Sequence, residues 1–429
     1  MKRANRIIST GIAVSCVASI LLACGGGDGA ADTPVTITVV GPNAVSQWNE
    51  IATTTINVPA SVTGTAEEQR PNSAVDLATV HVAIYDAVMA IVGTHRPYAV
   101  TPMTAAAGAS QDAAVASAAY RVLLGLFPSR TAQYQTAYDT FLGALPDSTA
   151  KTQGIAVGAE VAAGVLALRA NDGRSVVLAA FVPGTNPGDF RGVNPIGRPN
   201  QYIKPFALTS TAQFRAPGPP ALTSAAYAAD VNETKALAST LSTTRTADQT
   251  DLARFNTESP ATLQPRILRN FAMTNRSIAE HARIMAMLWV TAADAGNACF
   301  ESKYHYLFWR PSSAITLDGD GNAATTADAA WLPIVNTPNH PEYPAAHSCV
   351  TTSSAEVVRH FFGTPNVTFD IDSTVTGTTR HYTSTDDWIE EIKVARIAGG
   401  MHFRTSTVDG TALGKSVAEW VVTHHFQPK

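Results

Sequence analysis

The sequence predicts an all-α protein, a multi-helix bundle. Long Ala-rich stretches repeat apolar residues at helical spacing and end at Pro, Gly or Asn stops. Strand-like alternation is rare, and residues 35–40 (VTITVV) are its clearest run. With 429 residues, 45% of them hydrophobic, the chain can fill one large core or two lobes.

The first expected helix covers 75–92. Helices over 112–127 and 131–145 follow, separated by Pro128 and closed by Pro146, since proline cannot continue a helix. A fourth, over 151–170, stops at Asn171-Asp172-Gly173. Residues 181–220 are rich in Pro and Gly and predict an irregular strap across the bundle surface. Helices over 225–241 and 247–256 lead to the longest, 265–309. In the connection 318–330, Asp318, Asp320 and Asn322 resemble the start of a calcium loop. Ala323 and Ala329 replace its Gly and Glu, so a solvated turn is expected. The last helices cover 347–362, 386–398 and 410–426, with Gly363 and Gly399-Gly400 as stops.

The N-terminus has a separate task. Lys2, Arg3 and Arg6 precede an apolar run over 7–22 that ends in Leu21-Leu22-Ala23-Cys24. This resembles a bacterial lipoprotein signal, cut before Cys24, whose thiol then carries the lipid; the run is short for a membrane span. The expected organisation is a signal peptide over 1–23, a flexible tether over 24–45, and a helical domain over 46–429. Export and anchoring to a bacterial membrane, facing the periplasm or the exterior, follow from it. Losing residues 1–23 leaves 27 Lys and Arg against 34 Asp and Glu, a net −7. Such a balance argues against nucleic acid as a partner.

Against that acidic background, three blocks within 290–410 concentrate basic residues: 303–311 (KYHYLFWRP), 341–349 (PEYPAAHSC) and 395–402 (ARIAGGMH). Lys303 and Arg310 are seven apart, two helical turns, which predicts one shared face, with Pro311 setting Arg310 at the helix end. A helix starting near Ala346 would offer free N–H groups to an anion, with His347 beside it to move a proton. Gly399-Gly400 would break the third helix and let Arg396 and His402 face one pocket. Burying so many cations requires an anion, and phosphate or vanadate is the obvious one.

The order and spacing K-x6-R-P, P-x-x-H and R-x5-H resemble the vanadium-dependent haloperoxidase and type 2 phosphatidic acid phosphatase superfamily, most clearly over 280–425. Trp48-Asn49 and residues 81–90 are similar but less diagnostic. The resemblance implies that Lys303, Arg310 and Arg396 hold the oxygens of a vanadate cofactor, that His402 is the vanadium ligand, and that His347 is its acid–base partner. Ala346 offers its backbone N–H. The implied reaction oxidises a halide with hydrogen peroxide to hypohalous acid, which meets a small organic substrate. His340, seven before His347, matches a His of family bromoperoxidases and points to bromide or iodide. Family bundles of this kind are dimers, so a homodimer is expected, with membrane contact only through the lipid.

One departure stands out. The usual Pro-Ser-Gly-His is Pro344-Ala345-Ala346-His347, so a hydroxyl worth about 1.5–3 kcal/mol toward a charged partner is missing. Two other activities stay open. One is a phosphatase with phosphate in the same site and His402 as nucleophile; the other is a non-catalytic oxyanion binder. Cys299 and Cys349 flank the first two blocks, and in an exported protein a disulfide between them is expected, with two buried thiols as the alternative. Asp294 and Glu391 are candidate partners of Arg396. His81, Asp86 and His95 read as structural, and His424 and His425 as exposed.

Overall fold

The computed structural model describes residues 33–56 and 73–429; the signal, Cys24 and most of the tether lie outside them. Pro34–Lys429 form one unit. In chain order its elements are β1 (Val35–Thr36), α1 (Ala44–Ile56), α2 (Ser73–Val92), α3 (Gln111–Leu126), α4 (Thr131–Gly143), α5 (Thr149–Arg169), α6 (Ala225–Ala238), α7 (Ala247–Phe255), α8 (Pro260–Asn270), α9 (Ile278–Tyr306), α10 (Pro311–Thr316), α11 (Ala346–Phe362), β2 (Val367–Asp372), β3 (Thr379–Tyr382), α12 (Thr385–Ala398) and α13 (Arg404–His424). The all-α expectation holds, with a small sheet at the side. Its order is β1-β2-β3, with β1 parallel to β2 and β2 antiparallel to β3.

The 29-residue α9 is largely buried and packs against α2, α11 and α13. It starts at a reciprocal cap in which Ser277 and Glu280 each satisfy the other's backbone N–H. That cap divides the single helix expected over 265–309 into α8 and α9. The helix then ends early: Leu307 takes a left-handed conformation, φ 50°, and its N–H donates to the Lys303 carbonyl. Lys303 therefore lies on the helix and Arg310 does not. Arg310 is extended and precedes α10, whose first residue is Pro311.

The tether expected over 24–45 also ends sooner. Val35 and Ile37 donate to the carbonyls of Asn366 and Thr368, and Val40 to that of Met273. Asn43 accepts from the Val45 and Ser46 N–H groups and so opens α1. The Thr53 and Thr55 hydroxyls bond back to the Asn49 and Ile51 carbonyls, as threonines inside helices do. The strap holds its expected place: Phe190 and Ile196 donate to the carbonyls of Leu307 and Asn339. Asp294 is fully buried and accepts three N–H groups, from Phe206, Ala207 and Leu208, so it fastens the strap rather than pairing with Arg396.

Two glycines let α13 reach α11. A Cβ on Gly414 would fall 2.2 Å from the Cys349 carbonyl oxygen, and one on Gly410 would fall 2.8 Å from that of Ala345. Only glycine permits so close a backbone approach, and it sets the residues before α13 beside the start of α11. Cys299 on α9 and Cys349 on α11 are buried free thiols with sulfurs 2.8 Å apart. The structure carries them as two free thiols rather than the expected disulfide.

Candidate anion-binding active site

The ends of α9 and α12, the start of α11 and the segments before α10 and α13 meet at one buried place. Lys303, on the last turn of α9, is wholly buried and donates to the carbonyls of Pro341 and Glu342, at 2.9 and 2.8 Å. Arg310 is nearly as buried. It donates to the carbonyls of His340 and Met401, at 2.8 and 2.6 Å, to the His402 Nε2 at 3.1 Å and to the His340 Nδ1 at 2.9 Å. Arg396, at the end of α12, donates through Nη1 to the Asn256 carbonyl at 3.1 Å. Its Nε is buried without a partner. Gly400, with φ 80°, turns the chain after α12, and this brings His402 back beside Arg310.

The electrostatics are lopsided. Three cations, Lys303, Arg310 and Arg396, share one buried carboxylate, Glu342. Burial pushes the Lys303 ammonium down to about 8. Burial and then Arg310 push the Arg396 guanidinium down too. The half-buried His347 is held well below the ordinary imidazole range by burial, then by Arg396, Lys303 and Arg310. His402 is held low by burial, then by Arg310, Lys303, Arg396 and His340. Both imidazoles are neutral. Burial lifts the Glu342 carboxyl to about 7, against the pull of Lys303. An isolated site of this kind is unfavourable, and an entering anion relieves it.

The residues present fit such an anion. The N-cap of α11, Ala345, contributes no side-chain cap, so the N–H groups of its first turn stay available to a ligand at the positive end of a 17-residue helix. Ala346 is the first residue of that helix and is not left-handed, so replacing glycine adds no backbone strain. Among the described residues no cluster of three His, Cys, Asp or Glu could hold a metal cation. The cage suits an oxyanion whose central atom meets one neutral imidazole nitrogen.

All five sequence-predicted cage residues come together here, although Lys303 and Arg310 do so without sharing a helix face. His340 lies against Arg310 and its ring packs on Phe300, with centroids 5.2 Å apart. Glu391 pairs with Arg380 and Tyr382, not with Arg396. His81 bonds Asn49 in the core, and Asp86 accepts from Tyr98, Ala99 and Val100. The Asp318–Asn322 turn satisfies itself: Asp320 accepts from Asn322 and Thr325. Sequence reasoning missed Glu342, which accepts from His402 Nδ1 at 2.9 Å and from the Phe403 N–H at 3.0 Å. An acid between Pro341 and Tyr343, five residues before His347, was the available signal.

A cationic oxyanion cage at the meeting of α9, α11 and α12 defines a class, and the comparisons agree with it. Residues 283–428 match the model of the VCPO second helical-bundle domain, which covers most of α9 through α13. The chain is 31% identical over 94 residues to the vanadium chloroperoxidase of Curvularia inaequalis, a match covering 20% of this chain and 15% of that one. The match thus spans less than a sixth of that curated relative. The fold resembles the first bacterial vanadium-dependent iodoperoxidase, with a TM-score of 0.70 at 20% identity over 90% of this chain and 98% of the other. It also resembles a holo-type bacterial vanadium-dependent chloroperoxidase, with a TM-score of 0.67 at 16% identity over 89% and 97%. Residues 283–428 are thus similar to the second helical-bundle domain of the vanadium haloperoxidases, and the fold as a whole is the one that the bacterial vanadium-dependent peroxidases share.

Proposed function

We propose that this protein is a vanadate-dependent peroxidase that oxidises a halide, bromide or iodide, with hydrogen peroxide. The observation that carries this reading is the surplus of buried cations around two neutral imidazoles, supported by the similarity of residues 283–428 to the VCPO second helical-bundle domain. Lys303, Arg310, Arg396 and the N–H groups at the start of α11 would hold the vanadate oxygens, and His402 Nε2 would meet the vanadium. Bound vanadate supplies a Lewis-acid centre that activates peroxide without a change in its own oxidation state. Phosphate would occupy the same cage.

The chain's own residues do the rest. His347, neutral while the cage is empty, gains a proton more readily once an anion offsets Arg396, Lys303 and Arg310. It can then take a proton from incoming peroxide and return it to a departing oxygen. His340 fixes the guanidinium of Arg310 and, beside Phe300, shapes the ground on which a large, soft halide would rest. Export and lipidation at Cys24 belong to the same reading. They predict a diacylated Cys24 at the mature N-terminus, which mass spectrometry of the membrane fraction would reveal or refute.

The deciding assay uses protein stripped of anion and reloaded with orthovanadate, tested for peroxide-dependent bromination and iodination and for hydrolysis of p-nitrophenyl phosphate. Halogenation that appears only with vanadate and vanishes in His402→Ala supports the peroxidase. Phosphate release inhibited by vanadate would replace it with the phosphatase, and tight anion binding with neither activity would leave a binder.

A further inference from the structure

We propose that Glu342 is a positioning residue: it holds His402 in the neutral tautomer with the proton on Nδ1, leaving the Nε2 lone pair for the central atom of the anion. The inference rests on the reading of His402 given above, but the tautomer exists before any anion arrives.

A buried carboxylate is out of place in a site built for an anion. It repels the ligand and has lost its own hydration. Glu342 is fully buried, and its Oε2 has no partner. Its Oε1 is what the fold uses, accepting from His402 Nδ1 at 2.9 Å and from the Phe403 N–H at 3.0 Å. On the far side of the ring, Nε2 faces the Arg310 Nη1 at 3.1 Å. A guanidinium carries only donors, so Nε2 must present its lone pair there, and Oε1, already the acceptor of the Phe403 N–H, meets Nδ1 as an acceptor, so Nδ1 must carry the proton. Both neighbours select the same tautomer, which is how the second nitrogen of a ligating imidazole usually sets the first.

The mounting of Glu342 is rigid. Its backbone carbonyl and that of Pro341 accept from Lys303, its own N–H donates to the Phe308 carbonyl, and the Tyr343 hydroxyl next to it is fixed by Asp409 at 2.6 Å and by the Gly218 N–H at 3.0 Å. Lys303 thus orients the backbone of the residue whose side chain orients His402. The other polar atom near Nδ1, the Ser406 hydroxyl, is 3.5 Å away and can donate or accept, so it selects neither tautomer.

The rival role for Glu342 is simple charge balance, and two variants separate the two. Glu342→Gln removes the charge and keeps an acceptor oxygen; Glu342→Leu removes both. The readout is nitrogen-15 NMR of the His402 ring in anion-free, histidine-labelled protein at alkaline pH, assigned by the signal lost in His402→Gln. Positioning predicts a protonated Nδ1 in the wild type and in Glu342→Gln, and loss of that pattern in Glu342→Leu. It also predicts that Glu342→Leu binds vanadate about 10–100-fold more weakly than Glu342→Gln in equilibrium dialysis. Charge balance predicts that the two variants behave alike. A bare Nδ1 in the wild type overturns the proposal even if Glu342→Leu fails to fold. Should no form bind vanadate while the ring pattern follows the acceptor, the functional reading falls and the positioning role stands.

Discussion

Two buried charge clusters in this molecule have nearly the same parts and opposite purposes. Beneath the strap, Arg169 and Arg174 meet Asp172 and Asp76: Asp172 accepts from Arg169 at 3.0 Å and from the Arg174 Nε, and Arg174 also reaches Asp76. Two cations face two carboxylates, and all four side chains are almost fully buried. In the cage, three cations face one carboxylate. The first cluster is closed, and it ties α5 and α2 to the strap, with Arg169 also donating to the Lys204 carbonyl. The second is left open by two charges. What separates a strut from a binding site here is the arithmetic of charge, not the depth of burial or the kind of residue.

The comparison predicts effects of opposite sign. Asp172→Asn removes the carboxylate that Arg169 and Arg174 both bond, and breaking a buried pair in this way costs about 3–5 kcal/mol. Equilibrium unfolding in urea should show that loss, at any phosphate concentration. A variant as stable as the wild type would mean that solvent or the Phe206 ring, 4.0 Å from the Arg169 guanidinium, already carries the charge.

Arg396→Met should do the reverse in the cage. Without an anion it removes a repelling cation at the cost of one bond to the Asn256 carbonyl, so the melting temperature should hold or rise. With phosphate at about a hundred times the wild-type dissociation constant, the wild type should gain about 2.7 kcal/mol. The variant should gain far less. Thermal scans with and without phosphate measure both halves. A variant destabilised without anion and still protected by it would break the comparison, because Arg396 would then be a structural residue.

The parts of this design differ in how far they can be read from sequence. The cage residues are legible because lysine, arginine and histidine clustered on an acidic chain are chemically improbable without a ligand. The path by which they converge is not. Nothing about Leu307 announces a left-handed residue that ends α9 three positions before Arg310, and the shared helix face inferred from the seven-residue spacing does not exist. The threonines of α1 obscured a helix that Asn43 opens. The alternation of Val367, Phe369 and Ile371 was a readable strand, since these three face the core while Asp370 and Asp372 do not. Asp294 and Glu342 show the deeper obstacle. Each is a lone acid on the page, and its role depends on backbone N–H groups or an imidazole that lie 60 to 88 residues away.

The smallest expected effect concerns the place where this chain departs from the superfamily that its motifs resemble. Ala345 caps α11 with nothing, and its backbone, φ −73° and ψ 113°, is the extended form in which a serine hydroxyl can accept from the helix N–H groups. Ala345→Ser supplies a hydroxyl that can also donate to the anion. The expected gain is about tenfold in phosphate affinity, or 1.4 kcal/mol, with about 1 kcal/mol of added stability from the cap alone. Calorimetric titration and unfolding read the two separately. Space is the counter-argument: Ala345 is fully buried and lies under Gly410 of α13, where a Cβ would already fall 2.8 Å from the Ala345 carbonyl oxygen. If Ala345→Ser lowers both affinity and stability, overpacking outweighs the new bond. The cradle would then be complete without the hydroxyl, its anion held by three cations and the bare end of a helix. If affinity rises as expected, this cage binds its anion less tightly than its fold allows, and the difference from the balanced strut is one that a single oxygen can widen.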